Sequence, residues 1–255
     1  DKIHNDVNYL LVDNTASAMA EMAQKFFDNP SEKIQLIGIT GTNGKTTVAT
    51  LLYRAWLELG VTAGLISTVE TVYADVVMSS ELTTPDVITL QGLLYEMIQK
   101  GVTHAAMEVS SHAIHQGRIK GIKFRGGVFT NISHDHLDYH GDMAAYIAVK
   151  RSFFQQLPSD AFALINADDP RGKVMIENIS CPYALYSLSD LVGYKGKIIN
   201  MDLMGMQLEV NERRFYSRLT GQFNAYNLLA VFGVLDLMKY ELHEIAQVLS
   251  AIKTA

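Results

Sequence analysis

Ten residues near the start of the chain have the types and spacing of a phosphate-binding loop. Residues 38–47 read Gly-Ile-Thr-Gly-Thr-Asn-Gly-Lys-Thr-Thr, follow an apolar run over 34–37 and precede a helical pattern that begins near Thr47. A strand, a glycine loop and a helix in this order predict a loop whose backbone N–H groups bind an oligophosphate. The pattern departs from the common one at Ile39, where a small residue is usual. The alternative is a glycine-rich turn that only joins a strand to a helix.

The residues of this loop have separate physical roles in such a site. Gly41 and Gly44 let the backbone close around phosphates, and the following helix points its positive dipole end at the same anion. Lys45 adds a positive charge near the β- and γ-phosphates. The hydroxyl of Thr46 is placed to ligate Mg²⁺. The loop therefore predicts a site for a nucleotide and a divalent cation.

A carboxylate follows a second apolar strand, where the ligand crevice of an open α/β sheet lies. Glu108 ends this strand, in the segment 107–112 that reads Met-Glu-Val-Ser-Ser-His. Its carboxylate is placed to meet the Mg²⁺ held by Thr46. A glutamate that caps a helix or forms a salt bridge is the alternative.

Six of the eight histidines lie between positions 104 and 140, several of them after a third apolar strand. Such a cluster can indicate zinc, but thiolates are absent from it and the nearby carboxylates suit a hard cation better. We expect His136, which stands between Asp135 and Asp138, to be the functional histidine. His134 and His140 are expected to be ordinary loop residues. A solvated turn rich in histidine and aspartate is the alternative for the whole segment.

Three further features are ambiguous on the residues alone. Lys150 shares a helix face with Tyr146 and the phenylalanines of the next turn, and an exposed lysine beside an apolar stripe is the default interpretation. Residues 82–86 open a helix with capping residue types. Asn224 and Asn227 face the same way on another helix, where their amides either read an adenine edge or cap the helix.

Composition predicts a soluble intracellular α/β protein, located in the cytoplasm. The 255 residues are 48% hydrophobic, with a formal net charge of −6, which argues against nucleic-acid or anionic-membrane partners. The single cysteine, Cys181, excludes an intrachain disulfide and suits a reducing compartment. No apolar run approaches the length of a membrane span, and no signal peptide opens the chain. Because residue 1 is Asp, we expect a processed chain or an excised fragment. We also expect the protein to be a monomer.

Short apolar strands alternate with longer helical patterns, which predicts an α/β fold with a mostly parallel sheet of the P-loop type and helices on both faces. The predicted strands of this sheet are 34–40, 62–68, 104–109, 126–131 and 161–166. The predicted helices are 16–27, 45–59, 87–100, 142–157, 222–239 and 241–252. Near 182–218, four β-like runs without intervening helices predict a small antiparallel subsheet: 183–187, 196–200, 207–210 and 214–218. Residues 29–31, Asn-Pro-Ser, predict a linker.

Taken together, these motifs resemble one family. TGTNGKTT, TTP, MEVSSHAIHQGR, FTNISHDHLDYHG, YxxxK and GxFNxYN occur in this order in the ATP-dependent Mur ligases of peptidoglycan synthesis. The likeness is strongest to the branch that adds a diamino acid to UDP-N-acetylmuramoyl-L-alanyl-D-glutamate. It covers residues 34–255, and MEVSSHA followed by Gln116 and Arg118 is its most specific part.

The resemblance implies a role for individual residues. ATP and Mg²⁺ are the implied cofactors, and Lys150 is implied to be carbamylated. The implied ATP-binding residues are Gly41, Thr42, Asn43, Gly44, Lys45, Thr46 and Thr47, with Asn224 and Asn227 at the adenine. The implied metal ligands are Thr46, Glu108, His136 and the Lys150 carbamate. The residues implied to contact the UDP-MurNAc-dipeptide are Thr83, Thr84, Ser110, Gln116 and Arg118. The implied catalytic residues are Lys45, Glu108, His136 and Lys150. Residues 166–170, Asn-Ala-Asp-Asp-Pro, match a recurring family segment to which we assign no role.

The same resemblance predicts the domain organisation and leaves two alternatives. Residues 1–33 correspond to the end of an N-terminal uridine-binding domain and its linker, and 34–255 to the central ATP-binding domain, with the family's C-terminal domain absent. The implied reaction is ATP-dependent amide ligation through an acyl phosphate, and the fragment alone is expected to be inactive. The alternatives are another ligase of this fold, such as a folylpolyglutamate synthase-like enzyme, and a non-catalytic nucleotide-binding module. The residues do not distinguish lysine from diaminopimelate as the diamino acid.

Overall fold

A computed structural model describes residues 8–252, and one mixed sheet runs through this part of the chain. Its strands are β1 (Gln35–Thr40), β2 (Ala63–Ile66), β3 (Glu70–Tyr73), β4 (Val76–Ser79), β5 (His104–Glu108), β6 (Gly126–Phe129), β7 (Phe162–Asn166), β8 (Tyr183–Ser187), β9 (Tyr194–Asp202), β10 (Gly205–Val210) and β11 (Arg213–Ser217). Their order across the sheet is β11-β10-β9-β8-β7-β6-β1-β5-β2-β3-β4. The strands from β9 to β2 run parallel, and antiparallel pairs extend both edges.

Helices cover both faces of the sheet, and several of them connect its parallel strands. They are α1 (Thr15–Phe26), α2 (Lys45–Glu58), α3 (Val87–Gln99), α4 (Ser111–His115), α5 (Leu137–His140), α6 (Met143–Gln155), α7 (Gly172–Met175), α8 (Gln222–Leu237) and α9 (Leu242–Ala251). The side chain of Asp86 caps α3 and that of Asp142 caps α6, in each case by accepting a backbone N–H of the first turn. The predicted mostly parallel α/β fold is therefore confirmed.

The central strand β1 is buried on both sides, so each face of the sheet has its own core. Ile37 and Ile39 pack into the core that contains α2, α8 and α9, whereas Leu36 packs into the core that contains α3 and α6. This alternation is the two-residue period of a strand. A Cβ at Gly38 would stand 2.7 Å from the Phe153 ring, so glycine allows α6 to pack closely on β1.

The structure corrects one local prediction and shows two features that were not predicted. β8 pairs in parallel with β7, so residues 183–187 belong to the main sheet, and the antiparallel part begins only where β9 pairs with β10. The β3–β4 hairpin was not predicted, because its turn at Ala74 and Asp75 lacks the glycine or asparagine typical of such turns. Residues 29–31 pack onto the rest of the structure, since Pro30 and Ser31 are buried and Ser31 Oγ accepts the Lys123 N–H.

The N-terminal helix α1 packs against α3, and the ring of Phe27 lies 6.0 Å from that of Tyr95. Between residues 8 and 252, none of the helices combines the length and apolarity that a membrane crossing needs.

Candidate active site

The phosphate loop lies at the carboxyl end of β1 and leads directly into α2. Gly41 and Gly44 adopt positive φ angles of 152° and 87°, which favour glycine, and Gly44 is the N-cap of α2. Lys45 Nζ donates hydrogen bonds to the carbonyl oxygens of Gly41 at 3.1 Å and Thr42 at 2.8 Å. Burial lowers the pKa of Lys45, and the negative charges of Glu108 and Asp135 partly offset that effect.

The segment after β6 stabilises the backbone conformation of the phosphate loop. The side-chain amide of Asn131 makes two hydrogen bonds to the backbone of Asn43, accepting its N–H and donating to its carbonyl, each at 3.0 Å. Thr130 Oγ1 donates to the same carbonyl at 2.7 Å and would lie 1.9 Å from a Cβ at Gly41, which makes glycine obligatory there. Asn131 was not among the predicted site residues, because nothing in the sequence pairs it with a loop 88 residues earlier.

The predicted pair of metal ligands from β5 and α2 meets in the structure. Thr46 Oγ1 donates to Glu108 Oε1 at 2.8 Å, and the Thr68 N–H donates to the same oxygen at 2.7 Å. Glu108 is only 1% exposed. A buried carboxylate oxygen beside a hydroxyl at the start of a phosphate loop is a donor set that suits Mg²⁺. Within the described residues, no three His, Cys, Asp or Glu side chains stand close enough together to hold a metal ion by themselves.

Lys150 is buried beneath the phosphate loop, so the default interpretation of an exposed lysine is wrong. Its side chain is 1% exposed, and Nζ donates to the Gly41 carbonyl at 2.8 Å. Nζ also lies 4.7 Å from the centre of the Tyr146 ring. Burial lowers the pKa of Lys150 well below its usual value, and the positive charge of Lys45 lowers it further. The structure thus places an amine with a strong tendency to be neutral beside the phosphate loop.

His136 lies in a group of aromatic rings above the α6 face. Its ring centre is 4.8 Å from that of His112 and 6.4 Å from that of Tyr146, and its own φ is 53°. His136 Nε2 lies 3.4 Å from Asp135 Oδ2. The Tyr146 ring lies between this histidine and the buried amine, since Lys150 Nζ is 4.7 Å from the centre of the same ring.

His140 belongs to the same group of rings as His136. Its Nε2 lies 3.0 Å from Ser111 Oγ, and its ring centre is 5.7 Å from that of His112. Burial lowers the pKa of both histidines, and the charges of neighbouring histidines add to this effect. The spacing of these histidines along the chain gave no indication that the α4 segment would meet the α5 segment.

The predicted substrate residues form one connected network next to Glu108. Thr84 Oγ1 donates to the Glu108 carbonyl at 2.8 Å and accepts the Ser110 N–H at 3.1 Å. Arg118 donates to the Thr84 carbonyl at 3.0 Å and also bonds Gln116 Oε1. Two bonds extend the network outward, from Thr68 to Thr83 at 3.2 Å and from Gln116 to Tyr139 at 3.1 Å. Residues from β5, from α5 and from the loops after β2, before α3 and around α4 are thereby held on one side of the phosphate loop.

The two predicted adenine-side asparagines line a cavity of about 740 Å³ on the other side of the loop. Asn227 Nδ2 donates to Asn224 Oδ1 at 3.2 Å, so the amides orient each other. Phe223 is 85% exposed at the rim of this cavity. The cavity begins at the glycine loop, and its size suits the base and ribose of a nucleotide.

Residues 166–170 had no predicted role, and four of them line the same cavity: Asn166, Asp168, Asp169 and Pro170. Asp169 Oδ2 accepts the Ile132 N–H at 2.8 Å, and Asp168 Oδ2 accepts the Tyr226 hydroxyl at 2.7 Å. Burial and the bond to Asp168 raise the pKa of Tyr226 to about 12, so its hydroxyl stays a donor. The segment therefore joins the loop after β6 to the N-terminal part of α8.

Comparison with known proteins identifies the family. Residues 39–235 match the model of the Mur ligase middle domain. The chain belongs to this family. The chain is also 48% identical to the UDP-N-acetylmuramoyl-L-alanyl-D-glutamate–2,6-diaminopimelate ligase of Cytophaga hutchinsonii over 250 residues, and 43% identical to that of Phocaeicola vulgatus over 248 residues. These matches cover 98% and 97% of the chain but 51% of each relative, so the chain spans about half the length of these curated Mur ligases.

Solved Mur ligases share the fold of this chain. A structure of a UDP-N-acetylmuramoyl-L-alanyl-D-glutamate–2,6-diaminopimelate ligase superposes with a TM-score of 0.82 at 26% identity, covering 94% of this chain and 51% of the other. The MurF ligase of Thermotoga maritima, solved in complex with ADP, superposes with a TM-score of 0.70 over 100% of this chain and 56% of the other. At 18% identity, this second likeness supports the fold alone.

Proposed function

We propose that this chain is the ATP-binding central part of a ligase that adds a diamino acid to UDP-N-acetylmuramoyl-L-alanyl-D-glutamate. The observation that carries the proposal is the phosphate loop with the buried Glu108 carboxylate at Thr46 and the buried Lys150 amine at Gly41. The curated relatives carry 2,6-diaminopimelate in their names, so we propose this diamino acid rather than lysine.

ATP binding is proposed for the loop and the adjoining cavity. The backbone from Gly41 to Thr47 faces the phosphates, and Lys45, whose Nζ already lies 2.8 Å from a loop carbonyl, moves to the γ-phosphate. Asn224 and Asn227 line the cavity where the adenine lies. Here the chain contributes orientation and positive charge, which are the main protein contributions to phosphoryl transfer.

Two Mg²⁺ sites are proposed from residues that the fold brings together. Thr46 and Glu108 hold one ion, and His136 with a carbamylated Lys150 helps to hold the other. Mg²⁺, when bound, neutralises the charge that develops on the phosphates. The low pKa of Lys150 supports carbamylation, because only a neutral amine reacts with CO₂. The modification replaces a cationic group with an anionic oxygen ligand.

The dipeptide substrate is proposed to lie against the network of Thr83, Thr84, Ser110, Gln116 and Arg118. The guanidinium of Arg118 and the side-chain amide of Gln116 offer hydrogen bonds to an anionic, oxygen-rich ligand. The carboxylate of the terminal D-Glu attacks the γ-phosphate and releases ADP, and the resulting acyl phosphate loses phosphate when the amine attacks. No base is needed for the first step, because a carboxylate is ionised at neutral pH.

The domain organisation and location are proposals of the same kind. We propose residues 1–33 as the end of a uridine-binding domain and 34–255 as the central domain; residues 1–7 and 253–255 lie outside the described part of the chain. We expect the enzyme to be a monomer in the cytoplasm, without nucleic-acid or membrane partners.

The test uses the complete gene product that contains these residues. With ATP, Mg²⁺ and UDP-MurNAc-L-Ala-D-Glu, mass spectrometry should find a tripeptide product with diaminopimelate and little with lysine. Lys150→Ala should abolish turnover, and a short-chain carboxylic acid should partly restore it. Lys123→Ala, at an exposed lysine, is the matched control and should leave turnover unchanged. Full turnover by Lys150→Ala would remove Lys150 from the mechanism.

The same assay separates the alternatives. ATP-dependent extension of a folate, without activity on the nucleotide-dipeptide, would assign the chain to a folylpolyglutamate synthase-like enzyme. ATP binding without product from either substrate would favour a non-catalytic nucleotide-binding module. Either result would overturn the proposal.

A further inference from the structure

Thr40, the last residue of β1, carries a buried hydroxyl that has no assigned role in the candidate site. Its side chain is fully buried, and Oγ1 has no hydrogen-bond partner within residues 8–252. Its backbone, by contrast, is paired, because the Thr130 N–H donates to the Thr40 carbonyl at 3.0 Å. Buried polar atoms are nearly always hydrogen-bonded, so an orphaned hydroxyl beside a ligand site indicates a partner that is added later.

The register of the sheet shows which way this hydroxyl points. Thr40 is opposite Phe129 of β6, whose ring centre is 6.5 Å from that of Phe154 on α6. Two residues earlier on β1, Gly38 packs against Phe153 of the same helix. Because strand residues alternate between faces, Thr40 projects toward α6.

Lys150 lies on α6 one helical turn before Phe154, and its amine is directed at the end of β1. Its Nζ donates to the carbonyl of Gly41, the residue after Thr40, at 2.8 Å. The orphaned hydroxyl and the buried amine thus approach the same short stretch of backbone from one face of the sheet.

A carbamate on Lys150 offers this hydroxyl an acceptor that the protonated amine does not. A protonated lysine has three donors and no acceptor, so a hydroxyl cannot donate to it. When the neutral amine attacks CO₂, an N–C bond forms, one C=O electron pair moves to oxygen, and a proton leaves to water. The product has two acceptor oxygens and retains one N–H, which can keep the bond to the Gly41 carbonyl.

We propose that the Thr40 hydroxyl donates a hydrogen bond to the carbamate on Lys150 and is the positioning residue that stabilises this modification. The inference rests on the proposed function, since it takes the carbamate as given. It adds a specific requirement: the last strand residue before the phosphate loop must carry a hydroxyl. Thr40 acts through Lys150 and does not touch a substrate.

The test compares Thr40→Val, which keeps the shape and removes the hydroxyl, with Thr40→Ser, which keeps the hydroxyl. The complete enzyme, with Mg²⁺ and a non-hydrolysable ATP analogue, is titrated with ¹³C-bicarbonate, and the carbamate is followed by ¹³C NMR. Lys150→Ala identifies the signal. Thr40→Val should raise the half-saturating bicarbonate concentration by about tenfold or more, the effect of losing one hydrogen bond to a charged group. Thr40→Ser should stay close to wild type.

Two further readouts separate this role from a structural one. Turnover of Thr40→Val should rise when bicarbonate is raised, whereas its melting temperature without bicarbonate should not fall, because no hydrogen bond is lost. A wild-type bicarbonate dependence in Thr40→Val, or an equal defect in Thr40→Ser, would overturn the inference and leave the proposed function intact. If wild type and Lys150→Ala give the same spectrum, Lys150 is not carbamylated, and the carbamate of the proposed function fails together with this inference.

Discussion

Replacing Lys150 with methionine should stabilise the chain in CO₂-free buffer, and the gain should grow as the pH falls. The pKa of Lys150 is well below its usual value of about 10.5 in the folded chain and returns to that value on unfolding. Between these two pKa values the unfolded state binds one more proton, so the stability of the wild type rises with pH. The variant lacks this titration, and its advantage is therefore largest below the folded pKa.

The magnitude of this effect follows from proton linkage. One proton of linkage corresponds to about 1.4 kcal/mol per pH unit, so two pH units within the window give about 2.7 kcal/mol. Against this, the variant loses the hydrogen bond from Nζ to the Gly41 carbonyl, which contributes about 0.5–1.5 kcal/mol. Methionine is flexible and apolar and can occupy the channel of the lysine stem. The titration therefore outweighs the lost hydrogen bond once the pH is more than about one unit below the pKa of the unfolded lysine.

The assay is urea unfolding of the 255-residue chain from pH 7 to pH 10, with the difference in unfolding free energy plotted against pH. Lys123→Met is the matched control, because its side chain is 48% exposed and the same charge is removed without burial. The control measures what removing an exposed lysine does to this difference. A Lys150→Met difference with no more pH dependence than that of the control would show that Lys150 is not a desolvated amine and would refute the reasoning.

Three further predictions concern a metal ligand, a packing contact and the activity of the chain alone. Glu108→Gln should keep the fold, because an amide oxygen still accepts hydrogen bonds from Thr46 and Thr68. It should abolish the increase in ATP affinity that Mg²⁺ produces, as measured by calorimetry with and without Mg²⁺. An undiminished increase would show that Glu108 is not a metal ligand. Gly38→Ala should lower the unfolding free energy by about 1–3 kcal/mol in urea, because its Cβ would stand 2.7 Å from the Phe153 ring, and unchanged stability would show that the ring can move aside. The 255-residue chain alone should bind ATP weakly and form no tripeptide, so multiple turnovers detected by mass spectrometry would contradict the interpretation of the chain as a partial ligase.

The sequence predicts the centre of the fold well because local signals there agree. β1, β5, β6 and β7 are short apolar runs followed by polar loop residues, and each leads into or follows a helical pattern. The direction of β8 has no local signal, since pairing direction depends on how the chain crosses over. The β3–β4 hairpin turns at Ala74, whose φ is 48°. Alanine seldom adopts this conformation, so its presence does not indicate a turn.

In the candidate site, too, some contacts were predictable from the sequence and others were not. The meeting of Thr46 with Glu108 was predictable, because the carboxyl ends of neighbouring parallel strands share one edge. The bond of Asn131 to Asn43 and that of His140 to Ser111 were not, since they join loops far apart in sequence whose conformations no local pattern specifies. The burial of Lys150 was also not predictable from the sequence, because a lysine beside the apolar stripe of a helix is usually exposed.

The most direct test of the central claim is ATP binding to the 255-residue chain with Lys45 present or removed. Isothermal titration calorimetry with Mg²⁺-ATP should show binding by the wild type and a loss of affinity of about tenfold or more in Lys45→Ala, because one charge-assisted contact contributes about 1.5–3 kcal/mol. Circular dichroism should show the same fold in both chains, and Lys123→Ala, at the exposed lysine, should bind like the wild type. Equal ATP affinity in the wild type and Lys45→Ala would contradict the assignment of the loop as the nucleotide site.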